Sequence, residues 1–325
     1  MSRLTEMGQA AKEAAVVLAR LSSNEKNNAL KASADALEKN INEVLEANKK
    51  DVEAAVANGI KGAFIDRLTL TEKRVKEMAD GLRSVAALDD PIGEVLYMKT
   101  LDNGLKIGQK RVPMGVIGII FEARPNVTAD AFGLCLKAGS ATILRGGKEA
   151  FNSNTTIVNI FRNALEHIGL PKDCVQMVED TSRETATEMM RLNGYIDVLI
   201  PRGLIQSVVQ NSTVPVIETG TGNCHTYVDK SADLDMAVRI VINAKTQRPG
   251  VCNACESLLV HEDIAETFIP MVVKALKNND VEIRGDKRFS EEDGVKHASE
   301  EDWGTEYNDL IISAKVVKNI DEAIE

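Results

Sequence analysis

Cys252 lies in the stretch Lys245-Thr-Gln-Arg-Pro-Gly-Val-Cys252-Asn-Ala-Cys255-Glu, just past a Pro-Gly turn. Two cations precede it and the apolar run Ser257-Leu-Leu-Val-His261 follows. A thiol set beyond a turn can be held by backbone rather than sunk in a core. Lys245 and Arg248 would favour its thiolate, the form that attacks carbonyl carbon. Such a cysteine points to covalent catalysis on an acyl or aldehyde group. Spacing alone leaves a plainer reading open, a small core residue beside a second one, because cysteine is among the most commonly buried residue types.

Other chemistry-bearing residues are less specific. Gly146-Gly-Lys148 follows an apolar run, so backbone could approach a phosphate there while Lys148 supplies charge. A left-handed turn with an exposed lysine fits the same spacing. Neither a P-loop nor a Gly-x-Gly-x-x-Gly fingerprint occurs, so a dinucleotide would not bind in the usual Rossmann manner. Cys252-Asn-Ala-Cys255 is formally a C-x-x-C without the second pair a zinc site needs, and Cys135, Cys174 and Cys224 are isolated, so no metal is expected. His167, His225, His261 and His297 show no spacing that marks a general base.

These residues need a scaffold, and 325 residues suffice for two or three domains. Hydrophobic residues at 44% and charged residues at 27% are ordinary for a globular chain. The net charge of −10 argues against nucleic acid as the main partner and does not bear on a small anionic substrate. The first residues carry no apolar leader and no run is long enough to span a bilayer, so no membrane is expected. Five cysteines, an odd number, read as reduced thiols in a cytoplasm.

Apolar periodicity predicts helices over 10–20, from a Ser22/Glu25 capping box through Leu30, Leu37, Ile41 and Leu45, and from Thr71 through Leu82. A hairpin is predicted over 101–112 around Asn103-Gly104. Short apolar runs at 116–121, 141–144, 174–178, 196–200 and 214–217 then alternate with helical segments at 129–138, 155–167, 184–192 and 204–209. That alternation predicts a parallel sheet covered on both faces, with ligands at the carboxyl ends of its strands. The segments just past those ends are Glu122-Ala-Arg-Pro-Asn126, Arg145-Gly-Gly-Lys148, Glu179-Asp180, Pro201-Arg-Gly203 and Glu218-Thr-Gly-Thr-Gly222. A second α/β section starts near Cys224, with strands at 226–228, 258–260 and 310–317 and helices at 234–243, 262–277 and 321–325. Residues 280–303 read as a polar surface excursion.

Val112-Pro-Met-Gly-Val-Ile-Gly-Ile-Ile-Phe-Glu-Ala-Arg-Pro-Asn-Val-Thr128, Ile143-Leu-Arg-Gly-Gly-Lys-Glu-Ala150, Gly222-Asn-Cys-His225 and Gln247-Arg-Pro-Gly-Val-Cys-Asn253 together resemble the gamma-glutamyl phosphate reductases, also called glutamate-5-semialdehyde dehydrogenases. These form the proline-biosynthesis branch of the aldehyde dehydrogenase superfamily, and the resemblance covers essentially the whole chain. It implies an aldehyde-dehydrogenase-like α/β fold. Residues 1–221 would hold N-terminal helices and a parallel Rossmann-like cofactor domain, with an oligomerisation hairpin near 100–113. Residues 222–325 would form the α/β catalytic domain, incomplete at its C-terminal end. Ile200-Pro-Arg-Gly-Leu-Ile205 is shorter than the family's glycine-rich turn, which places the contact of Gly203 with a cofactor phosphate in question.

The resemblance further implies NADPH-dependent reduction of L-glutamyl 5-phosphate to glutamate 5-semialdehyde through a thioester. Cys252 is then the nucleophile rather than Cys255, because Asn follows Cys252. Asn126 and the Cys252 amide are implied as oxyanion donors. Lys148, with Gly146 and Gly147, is implied at the adenosine ribose or its 2′-phosphate, and Glu306 at the nicotinamide ribose. Arg124 and Arg248 are candidate contacts for the substrate's phosphate or carboxylate. Glu218 occupies the place of the water-activating base of hydrolytic aldehyde dehydrogenases; here a structural or substrate-orienting role is expected. A homo-oligomer and a partnership with glutamate 5-kinase are also implied. Two alternatives stay open: a hydrolytic aldehyde dehydrogenase, and a non-catalytic nucleotide-binding or assembly domain.

Overall fold

The computed structural model describes residues 2–218, 220 and 222–325, so Thr219 and Thr221 of the 218–222 segment lie outside the described residues. Two units divide the chain: Met1–Lys61 with Leu68–Thr219, and Gly62–Arg67 with Gly220–Glu325.

The first unit opens with helices whose starts are legible. Helix α1 (Arg3–Leu18) is capped by Ser2, which accepts the Thr5 amide. Helix α2 (Ser23–Lys39) has the expected capping box, with Ser22 and Glu25 each accepting the other's amide. The single helix expected through Leu45 breaks at Asn40 and restarts as α3 (Ile41–Ala57). The Asn40 side chain donates to the Ala36 carbonyl at 2.7 Å, a local bond that competes with the helix ladder. Helix α4 (Ala63–Leu68) groups mostly with the second unit. Helix α5 (Glu72–Ala87) starts where Thr71 accepts the Arg74 amide.

Strands β1 (Val95–Thr100) and β2 (Lys106–Lys110) form an antiparallel ribbon. The hairpin therefore begins earlier than expected. Every residue of β1 is exposed, so Val95-Leu-Tyr-Met98 has no inward and outward alternation to reveal it. Then follow β3 (Val116–Phe121), α6 (Asn126–Lys137), β4 (Ala141–Arg145), α7 (Phe151–His167), β5 (Val175–Met177), α8 (Arg183–Met190), β6 (Val198–Arg202) and α9 (Ile205–Asn211). The sheet has four strands in the order β5-β4-β3-β6, every pair parallel. Strands β3, β4 and β5 are buried throughout, as continuous apolar runs in a doubly covered sheet must be. The run at 214–217 contributes only one bridge, Val216 to Leu199. Phe132 of α6 stacks on Phe161 of α7 at 4.5 Å within the core of this unit.

The second unit holds β7 (Cys224–Val228), α10 (Leu234–Thr246), β8 (Cys255–His261), α11 (Ala265–Lys277), β9 (Glu282–Gly285), β10 (Lys296–His297), β11 (Ile311–Val317) and α12 (Ile320–Ile324). Its five-stranded parallel sheet runs β10-β9-β11-β8-β7. Residues 280–303 are thus no mere excursion, since β9 lies inside the sheet. Ile283 is buried while Arg284 meets Glu282 at 2.9 Å and Asp302 at 2.8 Å. Paired charges, rather than an apolar run, flank the one inward side chain.

Candidate active site

In the first unit the carboxyl ends of three neighbouring parallel strands carry the expected residues. Past β3, Pro125 leads into α6 and Asn126 is its first residue. The Asn126 side-chain amide donates to Asp130 Oδ2 at 3.2 Å, one turn on. An amide NH2 has two donors, so one hydrogen is left for a further acceptor. Arg124 is half-buried, and its backbone amide donates to the Glu122 carbonyl at 2.8 Å.

Past β4, Gly146 and Gly147 lie outside the left-handed region, and Gly147 has φ −66°, which overturns the left-handed turn that their spacing also allowed. Crowding explains the first glycine instead: a Cβ on Gly146 would stand 2.3 Å from Asn154 Nδ2. Lys148 is exposed and makes no ion pair among the described residues. It opens the short turn Lys148–Ala150 that feeds α7. Asn154 was not expected. It is wholly buried, accepts the Thr128 hydroxyl at 3.0 Å, and its Nδ2 has no partner among the described residues. No motif marks it, since only the fold brings α7 against Gly146. Arg145, also buried, donates to the Ser182 carbonyl at 3.2 Å, and loss of water lowers its affinity for the proton.

Past β6, Gly203 is buried against Glu122, whose Cγ would stand 2.5 Å from a Cβ there. Leu204 then takes a left-handed conformation, φ 54°, before α9, which has no side-chain cap. A leucine in that region costs on the order of 1 kcal/mol. The short turn is closed by strained backbone at a residue other than glycine.

In the second unit, α10 ends and two successive turns carry the chain to β8. Val251 donates to the Arg248 carbonyl at 3.3 Å and Ala254 to the Val251 carbonyl at 3.0 Å. The Arg67 guanidinium donates to the Gly250 carbonyl. Cys252 is exposed on this turn. Cys255 opens β8 and is buried, its sulfur 3.2 Å from the Thr226 hydroxyl and donating to the Ser257 carbonyl at 3.3 Å. Burial pushes the Cys255 thiol up.

The cations expected to favour a Cys252 thiolate each have a carboxylate nearby. Lys245 is fully buried and binds Glu256 at 2.7 Å; Arg248 faces Asp66 at 3.7 Å.

Glu306, half-buried, comes close to the Cys252 turn at Gly222. A Cβ on Gly222 would stand 2.9 Å from the Cys252 carbonyl oxygen and 3.6 Å from Glu306 Oε1. The Cys224 thiol donates to the same Cys252 carbonyl at 3.4 Å. The Cys224 contact was not anticipated; it arises from the β7–β8 register, which sets Cys224 beside Cys255. Glu218 is exposed. His261 accepts the Asp263 amide, and His225 and His297 bond the Asn223 carbonyl and Ser290. Among the described residues no three His, Cys, Asp or Glu side chains are grouped to hold a metal, and no helix is long and apolar enough to cross a membrane.

The first unit therefore gathers Arg124, Asn126, Gly146, Gly147, Lys148 and Gly203 on the carboxyl edge of one sheet. The second brings the Cys252 carbonyl and the Glu306 carboxylate close to Gly222, with Arg248 on the same turn as the thiol.

Known proteins resemble this chain along its length. Residues 2–290 match the model of the aldehyde dehydrogenase family. The gamma-glutamyl phosphate reductase of Clostridium beijerinckii is 58% identical over 100% of this chain and 79% of its own length. The crystal structure of the gamma-glutamyl phosphate reductase of Thermotoga maritima superposes with a TM-score of 0.87 at 49% identity, over 99% of this chain and 79% of that one. The Saccharomyces cerevisiae gamma-glutamyl phosphate reductase gives a TM-score of 0.64 at 29% identity, over 100% of this chain and 83% of that one. The chain belongs to the gamma-glutamyl phosphate reductases of the aldehyde dehydrogenase family. It is an oxidoreductase, and the family implies a nicotinamide cofactor. The orphaned Asn154 amide and the exposed Lys148 at the end of β4 are fit to meet a polar, anionic cofactor.

Proposed function

We propose that this chain reduces L-glutamyl 5-phosphate with NADPH to L-glutamate 5-semialdehyde and phosphate, a step of proline biosynthesis, through a thioester on Cys252. The observation that carries the reading is an exposed thiol on a backbone-held turn, in a chain of this family, with the Glu306 carboxylate near the same Gly222 that meets the Cys252 carbonyl.

The Cys252 sulfur attacks the acyl carbon. The oxyanion that forms is stabilised by the Cys252 amide and by the second N–H of Asn126. Collapse breaks the bond to phosphate, which leaves, and the acyl group stays on sulfur. A thioester is a better hydride acceptor than a carboxylate, having less resonance to lose. A nicotinamide cofactor, when bound, would supply the hydride that reduces this thioester. Collapse of the resulting thiohemiacetal returns the thiol and releases aldehyde. Arg124 and Arg248 supply planar forks for the substrate's anionic ends. Lys148 meets the adenosine 2′-phosphate, beside Gly146, Gly147 and Gly203, and Glu306 holds the nicotinamide ribose. Glu218 orients substrate or supports the fold; a reductase must not hydrolyse its own thioester.

A homo-oligomer built on the β1–β2 ribbon agrees with the exposure of Leu96, Tyr97 and Met98 at 45%, 52% and 65%. A labile acyl phosphate favours direct supply from a glutamate 5-kinase. Five cysteines without a disulfide suit a cytoplasm.

The reaction run backwards tests the reading. With glutamate 5-semialdehyde and NADP⁺, NADPH should form only when phosphate is present. Oxidation without phosphate would assign a hydrolytic enzyme with Glu218 activating water. Absence of both turnover and cofactor binding would leave the assembly reading. Lys148→Ala should weaken NADPH binding about tenfold, as loss of one charged hydrogen bond does, and NADH binding much less. Calorimetric titration of both cofactors measures the difference, and equal weakening contradicts the placement.

A further inference from the structure

Lys245 and Glu256 are the last residues one would expect to find without water, yet their side chains are 0% and 1% exposed. They flank the nucleophile turn. Lys245 lies in the last turn of α10 and Glu256 is the second residue of β8, so their 2.7 Å ion pair closes the loop that presents Cys252. The other Glu256 oxygen, Oε1, accepts the backbone amide of Asn308 at 3.1 Å. Asn308 holds a left-handed conformation, φ 56°, two residues after Glu306. The intervening Tyr307 donates to Asp302 at 2.7 Å, and Asp302 is itself held by Arg284 and the Ser299 amide. One buried carboxylate thus ties the thiol turn to the turn that carries Glu306.

A buried ion pair is poor evidence of stabilisation, since apolar replacements of similar volume are often neutral or better, and its attested use is to fix register. Neither group reaches solvent, so neither touches substrate. Resting on the function proposed above, we infer that Lys245 and Glu256 are positioning residues that hold the Cys252 and Glu306 turns in mutual register during reduction.

The test compares two double variants with the wild-type chain. Lys245→Met with Glu256→Leu removes both charges and the acceptor for the Asn308 amide. Lys245→Met with Glu256→Gln removes both charges but keeps that acceptor. The first should fold, with a melting temperature near wild type, and lose about tenfold in kcat, as a small misplacement of reacting groups does, with a smaller change in KM for the acyl phosphate. The second should recover most of that loss. Iodoacetamide labelling of Cys252, read by mass spectrometry, should change rate in the first variant and return toward wild type in the second. That readout needs no substrate, so it separates failure of the brace from failure of the proposed reaction. Wild-type kcat and wild-type labelling in both variants would overturn the inference. So would equal losses in both that track the melting temperature. Should the Met/Leu pair not fold, Glu256→Asp decides: it keeps the charge but shortens the reach to Asn308. A fall in kcat of about threefold or more at unchanged circular dichroism supports the brace, and wild-type kcat overturns it.

Discussion

Cys252 and Cys255 sit on one short segment and in opposite surroundings. Cys252 lies on a turn held by backbone bonds and by Arg67, open to solvent. Cys255 begins a strand that is buried along its whole length, with its sulfur engaged by Thr226 and Ser257. Both have the same thiol chemistry. What differs is whether the sulfur can be approached and whether its anion can be solvated. Reactivity here is set by the last turn before the sheet, where the chain passes from accessible to packed.

The strongest way to break that contrast is to exchange each thiol for a hydroxyl. Cys252→Ser should abolish reduction, about a thousandfold or more, because a serine hydroxyl stays protonated near neutrality. Cys255→Ser should retain most activity. Steady-state assays of the two variants decide it, and equal losses would erase the distinction.

A smaller effect should come from moving the turn while leaving the strand alone. Gly222→Ala places a methyl 2.9 Å from the Cys252 carbonyl, closer than real contacts allow. The turn must shift by a fraction of an ångström or more. An activity loss of about a hundredfold is expected, because misplacement on the ångström scale costs that much. The thermal midpoint should fall by only a few degrees. Unchanged turnover would show that Cys252 does not depend on its contact with residue 222.

The last effect is on stability rather than turnover, and it concerns the packed thiols. Burial raises Cys255 above its ordinary value of 9.0, and raises Cys135 to about 12. Above about pH 9 the unfolded chain releases protons that these native thiols keep. Their contribution to stability is therefore fully present below that pH and is lost as pH rises through the native value. For Cys135 the loss is about 1.4 kcal/mol per pH unit within that window. Urea unfolding across the alkaline range should show a shallower decline in Cys135→Ala and in Cys255→Ala than in the wild-type chain. An unchanged slope would mean that the native thiols titrate like free ones.

Residue types announced much of this and hid the rest for identifiable reasons. Val116 to Phe121 and Ala141 to Arg145 were readable as strands because a sheet covered on both faces needs continuous apolar runs. The Pro-Gly turn before Cys252 was readable because turn chemistry is local. Strand β9 was not, since its inward residue, Ile283, is flanked by charges that find partners only in the folded sheet. The contact between the Cys224 thiol and the Cys252 carbonyl was equally silent, because strand register brings distant segments together. Lys245 was read as serving the thiol; it is buried against Glu256, a carboxylate that no spacing rule selects.

The order of strands in the second unit has a consequence for how it is made. Strand β11 comes after the other four in the chain, yet it lies between β8 and β9, bonded to both. During synthesis β7 and β8 emerge early and can pair, but the face of β8 that awaits β11 must stay open until Val317 has left the ribosome. Nascent chains paused in that interval present an unpaired parallel edge, which invites wrong partners. Closing it requires a contact between residues far apart in sequence, the slow kind of folding step. Among its five described strands, the central one is therefore the last to be made.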